Sequence, residues 1–92
     1  MLDNAKRIAV PMDLLNRSDL KGAKKVFIAV KGKEILLIPE SGEIEQGAKI
    51  FGLRSIDNKG RIVLPKLFSE VSSDWTPYLL DGQIWVTRKI EL

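Results

Sequence analysis

Asp57-Asn58-Lys59-Gly60-Arg61-Ile62-Val63-Leu64-Pro65 decides the fold, because Asp3-Asn4-Ala5-Lys6-Arg7-Ile8-Ala9-Val10-Pro11 matches it without a gap at a constant offset. Asp, Asn, Arg, Ile and Pro are identical in the two copies. Internal repetition is sought first because it determines how every later segment is interpreted. Alternation along a strand places Ile8, Val10, Ile62 and Leu64 on one face, predicted to be core, and Arg7 and Arg61 on the other. Pro11 and Pro65 lack an N–H for a β-ladder and suit the first turn of a helix. Each copy therefore reads as strand, proline, short helix, with helices predicted at Met12–Arg17 and at 66–71. Leu14, Leu15, Leu67, Phe68 and Val71 supply the inward side chains.

Working outward, each copy closes with a predicted hairpin. Val26-Phe27-Ile28-Ala29-Val30 and Ile35-Leu36-Leu37-Ile38 are rich in branched residues and flank Lys31-Gly32-Lys33-Glu34. Tyr78-Leu79-Leu80 and Gln83-Ile84-Trp85-Val86-Thr87 flank Asp81-Gly82, a dipeptide suited to two-residue turns in which both residues take positive φ. Lys49-Ile50-Phe51-Gly52-Leu53-Arg54-Ser55-Ile56 is a further strand, turned back by residues 57–60. Only Met1 and Leu2 precede Asp3, so the first copy must borrow pairing from the second or leave an edge. The chain is thus predicted to be one mainly β domain, a small α+β fold over residues 1–92. Repeat one covers 1–39, an acidic connector 40–48 and repeat two 49–92.

Composition narrows the function. The 92 residues include 45% hydrophobic and 29% charged side chains, ordinary values for a globular domain. Without cysteine or histidine the chain has no disulfide, no thiolate metal site and no imidazole base. No nucleophile, base and orienting group assemble into an enzyme-like set, no cofactor motif is present, and no apolar run approaches the length of a membrane helix. The N-terminal residues lack the order of a signal peptide, so a cytoplasmic, nucleoid-associated location is expected. Fifteen basic against 12 acidic residues give a net charge of +3, a bias toward anionic partners. Repeat one carries 8 basic and 4 acidic groups and repeat two 7 and 5, whereas the connector holds only Glu40, Glu43 and Glu45.

The segment Ser55-Ile56-Asp57-Asn58-Lys59-Gly60-Arg61-Ile62-Val63-Leu64-Pro65 resembles the signature of the AbrB/MazE/MraZ superfamily, also called SpoVT-AbrB or swapped-hairpin domains. Together the repeats resemble members that carry two copies in one polypeptide. The resemblance implies a double-psi or swapped-hairpin barrel built from two pseudo-symmetric repeats. It also implies sequence-specific binding of double-stranded DNA by a transcriptional regulator, with arginines of the first strand and turn on the DNA. The matching positions are Arg54 and Arg61, with Arg7 as the pseudo-symmetric mate. This chain departs from the pattern after the proline, where Leu15 and Asn16 in one copy and Ser69 and Glu70 in the other replace further arginines. Nor does a long tail follow Leu92 with which an antitoxin would hold a toxin.

Arginine suits such a site because its planar fork bonds phosphate, or guanine O6 and N7, in bidentate fashion. The candidate DNA-contacting set is Arg54, Arg61, Arg7, Lys59, Lys6, Lys49 and Lys66. The competing interpretation pairs Asp57 with Arg61 and Asp3 with Arg7 merely to hold the turns. Lys21, Lys24, Lys25, Lys31 and Lys33 form a second basic run, read either as a phosphate-binding extension or as a solubilising face. Trp75 and Trp85 are expected in the core, base stacking being the alternative. Asp57-Asn58-Lys59-Gly60 lacks the spacing of a calcium loop and reads as a turn. The alternative function is a protein-interaction module, antitoxin-like or an assembly unit. A homodimer is expected for a DNA regulator, with a toxin as a possible protein partner.

Overall fold

The computed structural model describes residues 7–32, 34–64 and 75–88. In chain order these form β1 (Arg7–Ala9), α1 (Met12–Arg17), β2 (Lys25–Lys31), β3 (Glu34–Pro39), β4 (Lys49–Ser55), β5 (Arg61–Val63), β6 (Trp75–Leu80) and β7 (Gln83–Arg88). The fold is mainly β, in open antiparallel sheets: a two-stranded ribbon of β1 and β5, and a five-stranded sheet in the order β4-β2-β3-β7-β6. The helix expected at 66–71 lies outside the described residues, as do Asp3, Lys6, Lys33 and Lys66. Among the described residues no helix is long and apolar enough to cross a membrane.

The strand register relates the two repeats by an approximate two-fold axis. In the ribbon Ile8 pairs with Ile62, its own counterpart in the repeat, while Arg7 faces Val63 and Ala9 faces Arg61. In the large sheet Ile35 pairs with Val86 and Leu36 with Trp85. Lys31 and Glu34 flank the first hairpin turn as Leu80 and Gln83 flank the second, so Leu36 corresponds to Trp85, its own partner, while Ile35 corresponds to Ile84 and pairs with Val86, the counterpart of Leu37. Both hairpins are longer than the sequence suggests: Lys31 pairs directly with Glu34 in the first, and β6 begins at Trp75 in the second. Asp81 and Gly82 both have positive φ, +51° and +78°, as a two-residue hairpin with right-handed strand twist requires.

Both repeats fill one interior. Ile8, Val10, Leu15, Leu20, Val26, Ile28, Ile35 and Leu37 from the first pack with Ile62, Leu64, Trp75, Ile84 and Val86 from the second. Period two explains the selection: β2, β3 and β7 send alternate side chains toward the ribbon and α1. Trp75 belongs to this core, whereas Trp85 is half-buried on the opposite sheet face. There Ile50, Ala29, Leu36, Trp85 and Tyr78 align across all five strands. Tyr78 reaches past β7 to donate its hydroxyl to the Glu34 carboxylate at 2.7 and 2.8 Å. Burial, followed by that carboxylate, pushes the phenol up to about 12.

β4 takes its place on β2 through a bulge at Phe51, where the register shifts between Ile28 and Ala29. The two-fold-related place beside β6 is an open edge among the described residues. Leu80 and Gln83 flank the two-residue turn and exchange hydrogen bonds, so alternation turns the backbone nitrogens of Leu79, Pro77 and Trp75 outward. Pro77 thus removes a donor from the exposed edge, a known protection against strand addition. Pro77→Thr restores that donor and adds a β-branched residue. The substitution is expected to increase self-association in light scattering and size-exclusion chromatography; an unchanged elution profile at high concentration would show that the edge needs no such protection.

Candidate nucleic-acid interface

The turn that joins β4 to β5 is built around the Asp57 carboxylate. Gly60 N–H donates to the Asp57 carbonyl at 3.0 Å, closing a β-turn over Asp57-Asn58-Lys59-Gly60, and Asp57 N–H donates to the Arg61 carbonyl at 3.1 Å. Oδ1 accepts the backbone N–H groups of Lys59 and Arg61 at 2.9 and 2.8 Å. Aspartate favours such turns because its short side chain reaches the backbone two residues on. Gly60 comes next at φ +77°, and a Cβ there would collide with the Val10 carbonyl oxygen. The contact is close because Val10 N–H donates to the Gly60 carbonyl at 2.8 Å, tying the end of β1 to the turn of the other repeat.

Oδ2 of the same carboxylate accepts Arg61 Nε at 2.6 Å and faces Arg7 Nη1 at 3.9 Å. The two guanidinium groups therefore converge on one acid from opposite strands. Their side chains remain 28% and 32% exposed, so the pairing orders them without burying them. Both lie on the outer face of the ribbon, together with Ala9 and the 45% exposed Val63. The Nε bond holds Arg61 by its inner nitrogen. Lys59 contributes only its backbone N–H to this carboxylate. The backbone hydrogen bond from Arg61 is the largest cause holding the Asp57 carboxyl below its ordinary range. The Arg61 side chain, the Lys59 amide and the Arg61 charge act in the same direction, against partial desolvation.

The remaining expected residues separate. Arg54 lies on β4 beside Val26, its Nη1 donating to the Leu53 carbonyl at 3.1 Å and lying against Gly52. Lys49 stands at the far end of β4, about 20 Å from Ser55 at the 3.3 Å rise of a strand, with its ammonium 5.4 Å from the Phe51 ring centroid. Arg7 faces Asp57 of the other repeat, a neighbour that spacing does not suggest, while its expected partner Asp3 lies outside the described residues. Part of the second basic run arrives at the site instead. Ile56 N–H donates to the Lys24 carbonyl at 2.9 Å, and Lys25 pairs with Ser55. This approach depends on the long-range pairing of β2 with β4, for which no local sequence pattern exists.

In comparisons with known proteins, no protein-family model, curated protein or solved structure matches the chain.

The depressed acidity of Asp57 fixes the sign of a pH effect. Its ionised form stabilises the fold fully above the ordinary carboxylate value of about 3.9 and ceases to do so as pH falls through the lower folded value. Asp57→Asn is expected to lower the thermal midpoint at neutral pH, and to flatten its fall on acidification below about pH 4. Parallel wild-type and variant curves over that acid range would assign the acid limb to other carboxylates.

Proposed function

We propose that this chain is a sequence-specific double-stranded DNA-binding transcriptional regulator of the AbrB type. Support comes chiefly from one observation: Arg7 and Arg61 sit on the outer face of a two-stranded antiparallel ribbon, ordered by a shared carboxylate across an approximate two-fold axis. The major groove of B-DNA admits a two-stranded ribbon, and arginine forks read guanine edges or clasp phosphates. Ala9 and Val63 between them offer apolar surface for thymine methyls. Pre-ordering by Asp57 reduces the side-chain entropy that binding must otherwise remove. Lys59 and Arg54 extend the positive surface from the turn and from β4. The repeated strand–proline unit and the paired counterparts in both sheets agree with the resemblance to swapped-hairpin domains. On that basis the complete chain builds the swapped-hairpin barrel.

The binding form in this proposal is a homodimer, which presents two such ribbons to a two-fold operator. Exposed Leu53 and Leu80 at opposite margins of the sheet face that points away from the ribbon are consistent with association there. Sedimentation equilibrium is expected to give twice the chain mass at micromolar concentration, and a strictly monomeric protein that still selects an operator would remove the dimer.

Arg61→Ala is expected to weaken binding to duplexes enriched by selection from random sequence by at least tenfold, the equivalent of a bidentate contact of about 1–3 kcal/mol, with Arg7→Ala in the same direction. The thermal midpoint should move little in either variant. Wild-type binding should fall with salt at a log–log slope of about −4 to −5, for five phosphates neutralised. A folded Arg61→Ala protein with undiminished selectivity, or binding indifferent to salt, would overturn the assignment.

A further inference from the structure

Two groups of basic residues differ in their surroundings among the described residues. Arg17 pairs with Asp13, Lys31 with Glu45 and Lys49 lies near Phe51, all away from the Asp57 turn. Lys24, Lys25 and Lys59 have no ion-pair partner among the described residues, and all three are exposed. Lys25 pairs with Ser55 and the Lys24 carbonyl accepts from Ile56 N–H, which brings both to the end of the strand that leads into the Asp57 turn and Lys59. An open groove of about 560 Å³ runs between α1, the α1–β2 connection and the Asp57 turn, with Lys24 and Lys25 on one side and Asp57 and Asn58 on the other. Its floor is apolar, formed by Leu15, Leu20 and Ile56, and Met12 stands half-exposed at its mouth. A second open recess continues past the same lysines to Pro39, Glu40 and Ser41.

We infer that this groove seats a sugar–phosphate strand next to the ribbon, with Lys24 and Lys25 on successive phosphates and deoxyribose carbons against the Met12 rim. The inference rests on the DNA-binding reading of the ribbon and assigns it a further contact surface. A nucleic-acid backbone alternates anionic and apolar groups at short intervals, as the lysine rim and apolar floor do. Asp57 leaves the groove little acidic character, since Arg61 and Arg7 hold its carboxylate, and Glu40, whose N–H donates to the Lys25 carbonyl at 3.3 Å, lines the second recess and not this groove. Lysine ammonium groups position a backbone without reading bases, so the groove adds affinity and register and leaves sequence choice to the arginines.

The test compares wild type, Lys24→Ala/Lys25→Ala, Lys24→Arg/Lys25→Arg and Lys31→Ala on random-sequence and selected duplexes between about 50 and 200 mM salt. Losing two phosphate contacts makes the log–log slope shallower by about 1.8, so the salt-induced loss of affinity over that range becomes about 12-fold smaller. Affinity of the alanine pair should fall equally on both duplexes, the arginine pair should keep the wild-type slope, and Lys31→Ala should match wild type. A slope unchanged in a folded alanine pair, or a loss confined to the selected duplex, overturns the inference. If Arg61→Ala abolishes selection while the alanine pair behaves as wild type, the ribbon assignment stands and the groove alone is lost. If wild type binds no duplex, both fall together.

Discussion

The pairing of Ile8 with Ile62 constrains the rest of the fold. Two counterparts in a repeat can face each other in an antiparallel ribbon only if a two-fold axis passes between them, and that axis then relates whatever the flanking residues carry. Both isoleucines are essentially inaccessible to solvent, at 1% and 0% exposure, and sit at the centre of a core to which both repeats contribute. A register slip of one residue would turn this apolar pair outward and the two arginines inward. Desolvating two guanidinium groups opposes such a slip as strongly as burial of the isoleucines favours the native register. The external position of Arg7 and Arg61 is therefore a consequence of core formation.

Asp57 converts that placement into a site. Its backbone and carboxylate are used together: the carbonyl closes the turn, Oδ1 fixes the chain on the far side of it, and Oδ2 holds Arg61. Gly60 is required at the end of the same turn because its backbone angle and its contact with Val10 both exclude a side chain. The interpretation in which the aspartate merely braces the turn and the one in which the arginines face a ligand are compatible here. Both guanidinium groups remain partly accessible while bonded to or facing the carboxylate.

Much of this arrangement is legible in the sequence. The repeat, the alternation of Ile8, Val10, Ile62 and Leu64 against the arginines, the helix at Met12–Arg17 and both turn glycines emerge from spacing and backbone chemistry. What spacing does not contain is pairing between distant strands. Lys24 and Lys25 read locally as a solvated run, and only the β2–β4 register brings them to the Asp57 turn. The same limitation hides the approach of Arg7 to Asp57, an acid 50 residues away. Lys49 shares a strand with Arg54, which groups the two in sequence, yet strand length carries Lys49 to the opposite end. Trp85 illustrates a further limit: period two shows that Ile84 and Trp85 face opposite ways, but not that both faces of this sheet are apolar.

That second apolar face changes how the sheet margins should be understood. A sheet covered on one side can solvate the other, whereas here Ala29 and Leu36 are buried on the side away from the ribbon, beneath Phe27, Ile50, Trp85 and the start of β4. β4 closes one margin and carries Arg54, so the strand that shields this face also bears part of the positive surface. At the other margin β6 has no such neighbour among the described residues, and protection falls to Pro77 and to the bond from Tyr78 to Glu34. Among the described residues the two repeats are therefore equivalent in their ribbon and hairpins but not at their edges. Charge respects the same division: β4 and the turn after it place cations beside β2, while the strand in the corresponding half, β6, offers threonine, proline and leucine. Among the described residues the ribbon consequently has its unpaired lysines on one flank, the side of Lys24, Lys25 and Lys59.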